Sequence, residues 1–268
     1  NHIDTVFTDA NYGRDEILEL KKEFWNQAFD YPTRLLISFA GDEFNTVSQS
    51  IVEGKISSPK FYLRLYEAEG TQELSTDYTI AAFPLSQSWA EGTGKFGDVP
   101  KVTNGVSWEN RNYYPGASAV TWSNATGTSS FGGRYITSSA WIASQSFSNE
   151  SPDINMDVTA IVNKWLNKSV SNHGMLLKFS GSQETNTETH GKLKFFSSNT
   201  NTIYAPKLEV RWDDHTSCTG DNTGSLLEMT MSGQADYTLY MKGLKESYRE
   251  NEKVKFRVMP RKRYIQKT

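Results

Sequence analysis

The residues that come closest to a known chemical motif are 92–97, whose sequence GTGKFG satisfies the pattern G-x-G-x-x-G. In dinucleotide-binding proteins this pattern follows a hydrophobic strand and begins a helix, whose N-terminus meets the pyrophosphate. Here residues 88–91 and 98–100 flank the glycines, and neither segment has that character. Lys95 is followed by Phe96 rather than Ser or Thr, so the pattern also fails as a phosphate-binding loop. We expect a loop that binds neither a nucleotide nor another cofactor.

Two sets of side chains could ligate a metal ion. The first offers carboxylate, imidazole and thiolate ligands close together in sequence: Asp213, Asp214, His215 and Cys218. The second consists of carboxylates expected on loops, where they could hold calcium: Asp4, Asp9, Asp15, Asp42 and Asp98. No further cluster completes the first set, and the second lacks EF-hand spacing. We therefore predict no metal site.

Catalytic groups are difficult to assemble from this sequence. The nucleophile motif G-x-S-x-G is absent. The four histidines lie in polar or glycine-containing stretches typical of surface turns: His2, His173, His190 and His215. Asp and Glu are plentiful, but no two of them stand out as a glycosidase pair. We predict a protein that is not an enzyme, and a sugar-acting enzyme remains one of the alternatives.

Seven tryptophans indicate a different chemistry, in which an aromatic ring stacks on the C–H face of a sugar. Trp165 and Trp212 are in register with apolar neighbours, so we expect both to pack in the core. Four others lie in a region rich in glycine and serine, where a ring can be exposed: Trp89, Trp108, Trp122 and Trp141. The last three are our candidate ligand-binding residues.

Short runs with period-two alternation supply the elements that must position these side chains. Five runs place apolar residues on one face: 35, 37 and 39; 61, 63 and 65; 175, 177 and 179; 193 and 195; 208, 210 and 212. Clusters of Gly, Ser, Thr, Asn and Pro separate the runs. Strands spaced in this way, without helices between them, predict an all-β fold with an antiparallel sandwich or barrel.

One segment has the period of a helix instead. Val158, Ile161, Val162 and Trp165 fall at i, i+3, i+4 and i+7, behind Asp157, whose carboxylate can cap a helix. The pattern predicts one short amphipathic helix over residues 158–167. We expect this helix to cover one end of the sandwich.

Composition limits the remaining possibilities. The chain has 268 residues, of which 37% are apolar, 22% charged and 13% aromatic, as in folded proteins. The single cysteine, Cys218, excludes an internal disulfide. No run approaches the roughly 18 apolar residues of a membrane span, so we expect no membrane partner. The sequence from Asn1 has no signal-peptide pattern, so we expect such a peptide to be absent or already removed.

The polar residues 214–224 have the composition of a linker. They separate a sandwich over residues 1–213 from the start of a second small β module over residues 225–268. This second module is too short for its own sandwich, so we expect it to pair with a partner or to continue in a longer polypeptide. Basic residues of 253–268 alternate with apolar ones, and the net charge is −3, which favours a solvated strand face over nucleic acid binding.

Eight strings, in order, resemble the DNRLRE domain, a jelly-roll β-sandwich of large surface and secreted bacterial proteins. They are Asp4 with NYG (11–13), RLLISF (34–39), SPKFYLRLY (58–66), SWAEGT (88–93), GVSW (105–108), MDVTAIVNKWL (156–166), NHGMLL (172–177) and PKLEV (206–210). The resemblance covers about residues 1–213 and departs from the family in a long aromatic insert at 109–150. It implies a jelly-roll sandwich that serves as a non-catalytic scaffold or binding module.

The segment 244–267, which leads into a further β module, is similar to structural proteins of large contractile-tailed bacteriophages, especially those of cyanobacteria. The absence of cysteine pairs and of a signal peptide agrees with that similarity. It implies a virion component of the baseplate, tail, neck or capsid surface that contacts other virion proteins in a symmetric, multi-copy assembly. The alternative is a carbohydrate-binding module of a bacterial surface or secreted protein, with a glycan as its ligand.

Overall fold

A computed structural model describes residues 1–26, 29–39, 41–69, 77–123, 131–148, 153–213, 237–250 and 252–262. The chain divides into two compact units, Asn1–Asp214 and His215–Thr268. The predicted linker at 214–224 lies outside the described residues. No helix in the described ranges is both long enough and apolar enough to cross a membrane.

In its described residues, the first unit contains thirteen strands and two α-helices. The strands are β1 (His2–Asp4), β2 (Ile17–Trp25), β3 (Phe29–Ile37), β4 (Ser57–Leu65), β5 (Glu67–Glu69), β6 (Asp77–Pro84), β7 (Asn110–Asn112), β8 (Val120–Thr121), β9 (Ala143–Ser148), β10 (Ile154–Asp157), β11 (Met175–Phe179), β12 (Gly191–Phe196) and β13 (Lys207–Asp213). The helices are α1 (Gly41–Val52) and α2 (Thr159–Leu166).

The strands form an antiparallel β-sandwich, which confirms the predicted all-β class. The large sheet has the order β5-β12-β2-β3-β11-β6-β9, and β1 also pairs with β3. The small sheet has the order β10-β4-β13. Neighbours in both sheets are antiparallel, and many are distant in sequence, so crossover connections link the two sheets.

The predicted strand faces meet in one core between the sheets. Phe61, Leu63 and Leu65 of β4 are buried there against Leu193 and Phe195 of β12 and the other inward-facing residues of the large sheet. The small sheet is half-buried along Leu208 and Val210 of β13. Alternation therefore identified the inner faces of β4 and β12 correctly, because in each of these two strands the residues between the buried ones are less buried.

The predicted interior position of Trp212 is wrong. The register of β13 against β4 shifts between Arg211 and Asp213, and the side chain of Trp212 is 47% exposed. A local irregularity of this kind breaks the strict alternation of a strand. Period-two reasoning therefore fails at the last residues of β13.

Helix α2 confirms the predicted helix. Ile161, Val162 and Trp165 are buried in the core, and the carboxylate of Asp157 accepts a hydrogen bond from the backbone N–H of Thr159 at 2.9 Å. The sequence reasoning expected one helix and missed α1, whose Phe44 and Val47 pack on the same core. The Phe44 ring meets the edge of the Trp165 ring with their centroids 5.7 Å apart.

A second apolar layer covers the outer face of the large sheet. The segment after β6, which includes much of the predicted aromatic insert, lies against sheet residues that point away from the main core. The buried members of this outer cluster are Ile3, Leu36, Ala81, Phe83, Leu85, Val106, Trp122 and Leu176. Strand β11 is therefore buried on both faces.

The second unit contains one described hairpin. Strands β14 (Tyr237–Lys242) and β15 (Arg257–Lys262) pair antiparallel, with Met241 opposite Val258 and Tyr240 opposite Met259. Leu239, Tyr240, Met241, Val258 and Met259 are all exposed. Both faces of the hairpin therefore carry apolar side chains in contact with water.

Candidate functional site

The sandwich contains a cleft of about 530 Å³, which we name the end cleft. It is bordered by residues that follow β3, by the loop before β11 and by the segment that follows β6. The lining side chains central to its chemistry are Ser38, Phe39, Trp89, Glu91, Asn172 and His173. None of the three candidate ligand-binding tryptophans, Trp108, Trp122 and Trp141, is among the described residues that line this cleft.

Gly174 positions the loop that carries Asn172 and His173. Its φ is +89°, and a Cβ atom at this position would collide with the carbonyl oxygen of Ile37, so only glycine allows this approach. The side-chain oxygen of Asn172 accepts a hydrogen bond from the Gly174 N–H at 3.1 Å. The loop is thereby held against the end of β3.

Trp89 forms an aromatic wall of the end cleft. Its Nε1 donates a hydrogen bond to the carbonyl oxygen of His173 at 2.9 Å, and its half-buried ring also packs on the outer cluster. These contacts fix the plane of the indole before any ligand arrives. Trp89 was one of the four tryptophans in the glycine- and serine-rich region, but sequence reasoning did not select it.

His173 contributes an uncharged imidazole at neutral pH. Partial burial, followed by the positive charge of Arg111, lowers its pKa below the ordinary value for histidine. A neutral imidazole has one nitrogen that donates and one that accepts a hydrogen bond. His173 can therefore bind a hydroxyl group in either direction.

The glycines of the G-x-G-x-x-G pattern at residues 92–97 have a packing role next to this cleft. The buried amide of Asn11 donates to the carbonyl oxygens of Glu91 and Val106 at 2.7 and 2.8 Å. Its oxygen accepts from the N–H groups of Gly13 and Gly94 at 3.0 and 2.9 Å. A Cβ at Gly94 would collide with the carbonyl oxygen of Asn11. The glycines therefore allow close contact between two backbone segments.

The three candidate ligand-binding tryptophans occupy different environments. Trp122 is completely buried in the outer cluster, and its Nε1 donates to the carbonyl oxygen of Ser107 at 3.1 Å. The expectation that its ring is exposed for a sugar is therefore wrong, because the apolar insert folds back onto the sheet. Trp108 is half-buried, and the Arg34 guanidinium lies 4.9 Å from its ring centroid.

Trp141 is also half-buried, and Lys164 Nζ lies 5.2 Å from its ring centroid. It belongs to the short 3₁₀ helix Ser139–Trp141, whereas Trp108 packs on the outer cluster with Trp122. Cations thus approach both half-buried rings. Ligand binding by Trp108 and Trp141 stays a prediction.

A buried ionic cluster on the outer side of the large sheet escaped sequence reasoning. Glu184 accepts hydrogen bonds from Arg34 and also pairs with Lys178. Burial opposes ionisation of Glu184, but Arg34 and Lys178 outweigh it and hold its pKa below the ordinary value. Because 150 residues separate Arg34 from Glu184, no local pattern could have paired them.

Two histidines contradict the expectation of surface turns. His2 lies in β1 and His190 precedes β12, and both are buried. His173 is half-buried, and His215 lies outside the described residues. Burial lowers the pKa of His2 to about 3, with further lowering by nearby positive charges that include Lys21.

The candidate metal ligands do not assemble where the structure describes them. Asp4 lies in β1 and Asp42 in α1, so the expectation of loop positions is wrong for both. Within the described ranges, no group of three or more His, Cys, Asp or Glu side chains could hold a metal ion. Asp214, His215 and Cys218 lie outside those ranges, as does the side chain of Asp213.

Comparison with known proteins adds no assignment. No protein-family model matches this chain. A search of curated proteins also finds no match. The resemblance to the DNRLRE domain and the similarity to phage structural proteins therefore stay predictions.

Proposed function

We propose that this chain is a non-catalytic structural component of a tailed-bacteriophage virion, which acts through contacts with other virion proteins. The observation that supports an assembly role most directly is the β14–β15 hairpin, which exposes apolar side chains on both faces. The baseplate, tail, neck and capsid surface are the positions that the sequence similarity implies.

The hairpin has more apolar surface than two strands can bury. Leu239 is 68% exposed and Val258 is 59% exposed. Leu239, Met241 and Val258 share one face, whereas Tyr240 and Met259 point to the other. An isolated two-stranded hairpin is marginally stable in water, and exposed apolar patches mark interaction sites. We expect a protein partner to cover these faces in the assembled particle.

The double-layered sandwich supports the same role. Its large sheet is covered on one face by the small sheet and α2 and on the other by the outer cluster. Close packing on both faces makes a stiff element, since packed interiors resist deformation. A stiff module suits a particle in which many copies must present one surface in one orientation.

The test is incorporation into particles. We would introduce Leu239→Lys and Val258→Lys into the gene of the parent phage, purify the particles and quantify this protein by mass spectrometry. The matched control is Val52→Lys, which changes an equally apolar residue that is 84% exposed on α1 of the sandwich. We expect the hairpin variants to be depleted from particles and the control to be retained.

Two outcomes would contradict the proposal. One is recovery of the wild-type protein only from a cell envelope or culture medium, with none in particles. The other is incorporation of both hairpin variants at the wild-type level, which would remove the hairpin as the contact surface. Circular dichroism of the isolated variants shows whether depletion reflects lost contact or lost folding.

A further inference from the structure

The end cleft has the size and the shape of a small-molecule site. Its volume of about 530 Å³ falls within the range of roughly 300 to 1,000 Å³ that is typical of ligand sites. All of its described lining residues belong to the first unit, whereas the β14–β15 hairpin belongs to the second. An inference about its ligand is therefore independent of the proposed virion role.

The lining combines aromatic surface with neutral hydrogen-bonding groups. Trp89 and Phe39 supply the aromatic surface, and the hydrogen bond to the His173 carbonyl holds the Trp89 ring in place. Asn172 uses its oxygen within its own loop and has no partner for its Nδ2 donors among the described residues. The hydroxyl of Ser38 likewise makes no hydrogen bond within the described ranges.

One residue of the cleft lining, Asn1, carries an unsatisfied buried atom. Asn1 lines the cleft, and its side-chain oxygen is shielded from solvent and has no hydrogen-bond partner among the described residues. Its amide nitrogen is held in place by the carbonyl oxygen of Glu91 at 2.9 Å. An orphaned buried acceptor costs free energy unless a donor reaches it.

The charge of the lining selects against anions. Among the described lining residues, Glu91 carries the only charged side chain, and the imidazole of His173 is neutral at pH 7. Burial lowers the pKa of the Asn1 amino group to about 6, so that group is also mostly uncharged at pH 7. A sialic acid, a uronic acid or a phosphate would meet the Glu91 carboxylate without a lysine or arginine in the lining. A neutral polyol can instead donate hydroxyl hydrogen bonds to Glu91 and stack its C–H face on indole.

We propose that the end cleft binds a neutral saccharide. The Trp89 ring contacts a C–H face of the sugar, while the Asn172 amide, the His173 imidazole and the Glu91 carboxylate bond its hydroxyls. In this proposal the first unit carries a glycan site, and the hairpin of the second unit carries the contact surface. None of the three tryptophans selected from the sequence belongs to this site.

The experiment uses the full 268-residue chain. It would be screened on an array of neutral, sialylated and sulfated oligosaccharides, and hits would be titrated by calorimetry. We expect binding confined to neutral oligosaccharides. Asn172→Asp keeps the side-chain oxygen that accepts the hydrogen bond from Gly174 but removes the Nδ2 donors. We expect this variant to raise Kd about tenfold, because one hydrogen bond to the ligand is lost. Trp89→Ala should abolish detectable binding.

The control is Trp25→Ala, which removes an exposed tryptophan that does not line the cleft and should leave Kd unchanged. Because Trp89→Ala can also disturb packing, the thermal melting of each variant is measured alongside the titrations. If Trp89→Ala does not fold, the Kd of Asn172→Asp tests the proposal. The proposal is overturned if the folded wild-type chain binds only acidic glycans or none. It is equally overturned if Asn172→Asp binds as the wild type does.

Discussion

The guanidinium of Arg34 and the carboxylate of Glu184 form a paired contact, with 2.7 Å from Nε to one oxygen and 3.0 Å from Nη2 to the other. Both side chains are largely buried, and Lys178 adds a second cation to the same carboxylate. The contact ties the loop after β11 to β3. It therefore connects two parts of the chain that no local interaction would bring together.

Glu184→Gln should destabilise the sandwich by about 3 kcal/mol, because it leaves two cations at a buried site without their counter-charge. Urea unfolding measures the change. Glu53→Gln is the matched control, since Glu53 pairs with Lys55 on the exposed end of α1 and its loss should change stability little. Equal midpoints for the wild type and Glu184→Gln would show that the buried pair does not stabilise the fold.

Acid should destabilise the protein through His2. Burial is the main reason why the pKa of His2 falls from 6.5 to about 3 in the folded protein, and Lys21 contributes to the same shift. Below about pH 6.5 the unfolded chain therefore binds a proton that the folded chain does not, so stability falls until pH reaches about 3.

His2→Phe isolates this contribution. The His2 and Tyr12 rings stack with centroids 4.2 Å apart, and phenylalanine can retain that contact. We expect the unfolding free energy of His2→Phe to decline less than that of the wild type between pH 6.5 and pH 3. Parallel pH profiles for the two proteins would contradict the buried, neutral state of His2.

Asn11→Ala should destabilise the loop that carries the glycine motif. The substitution removes four hydrogen bonds and leaves buried backbone groups unpaired, including the N–H of Gly94 and the carbonyl of Val106. Each unsatisfied buried group costs about 1 to 3 kcal/mol. Hydrogen exchange should show faster exchange at Gly13 and Gly94, while Asn45→Ala, which removes an exposed amide on α1, serves as the control. Unchanged protection would refute this role.

Trp122→Ala should cost about 3 to 5 kcal/mol, because it empties a fully buried site in the outer cluster. Trp212→Ala should have a much smaller effect, since that ring is 47% exposed. Thermal unfolding of the two variants measures the contrast. The opposite order would mean that the outer cluster contributes little and that Trp212 is the packed residue.

Local sequence was informative where one side of an element meets the core. Phe61, Leu63 and Leu65 alternate because β4 has one buried face, and Ile161 and Trp165 recur with the helical period because α2 has one buried side. These patterns depend only on backbone geometry, which repeats every 2 or 3.6 residues. Helix α1 was missed although Phe44 and Val47 are spaced three apart, because the rest of its sequence is strongly polar.

The candidate site was harder to predict. The end cleft gathers residues from the end of β3, the loop before β11 and the segment after β6, which are far apart in the sequence. Trp89 was visible as an aromatic residue in a region of glycine and serine. Nothing nearby indicated that its nitrogen would bond His173, 84 residues away. A signal was present in the sequence NHG at 172–174, but it indicated only a turn.

The sequence by itself determined the all-β class, the inner faces of the strands and the position of α2, because hydrophobic periodicity is a local property of the backbone. The tertiary structure decided which tryptophans are buried, which ions are paired and which loops meet at the end cleft. Trp122 and Trp212 illustrate the difference: the surroundings of each ring depend on segments that arrive from elsewhere in the chain. Such contacts are set by packing between distant residues, and no local pattern encodes them.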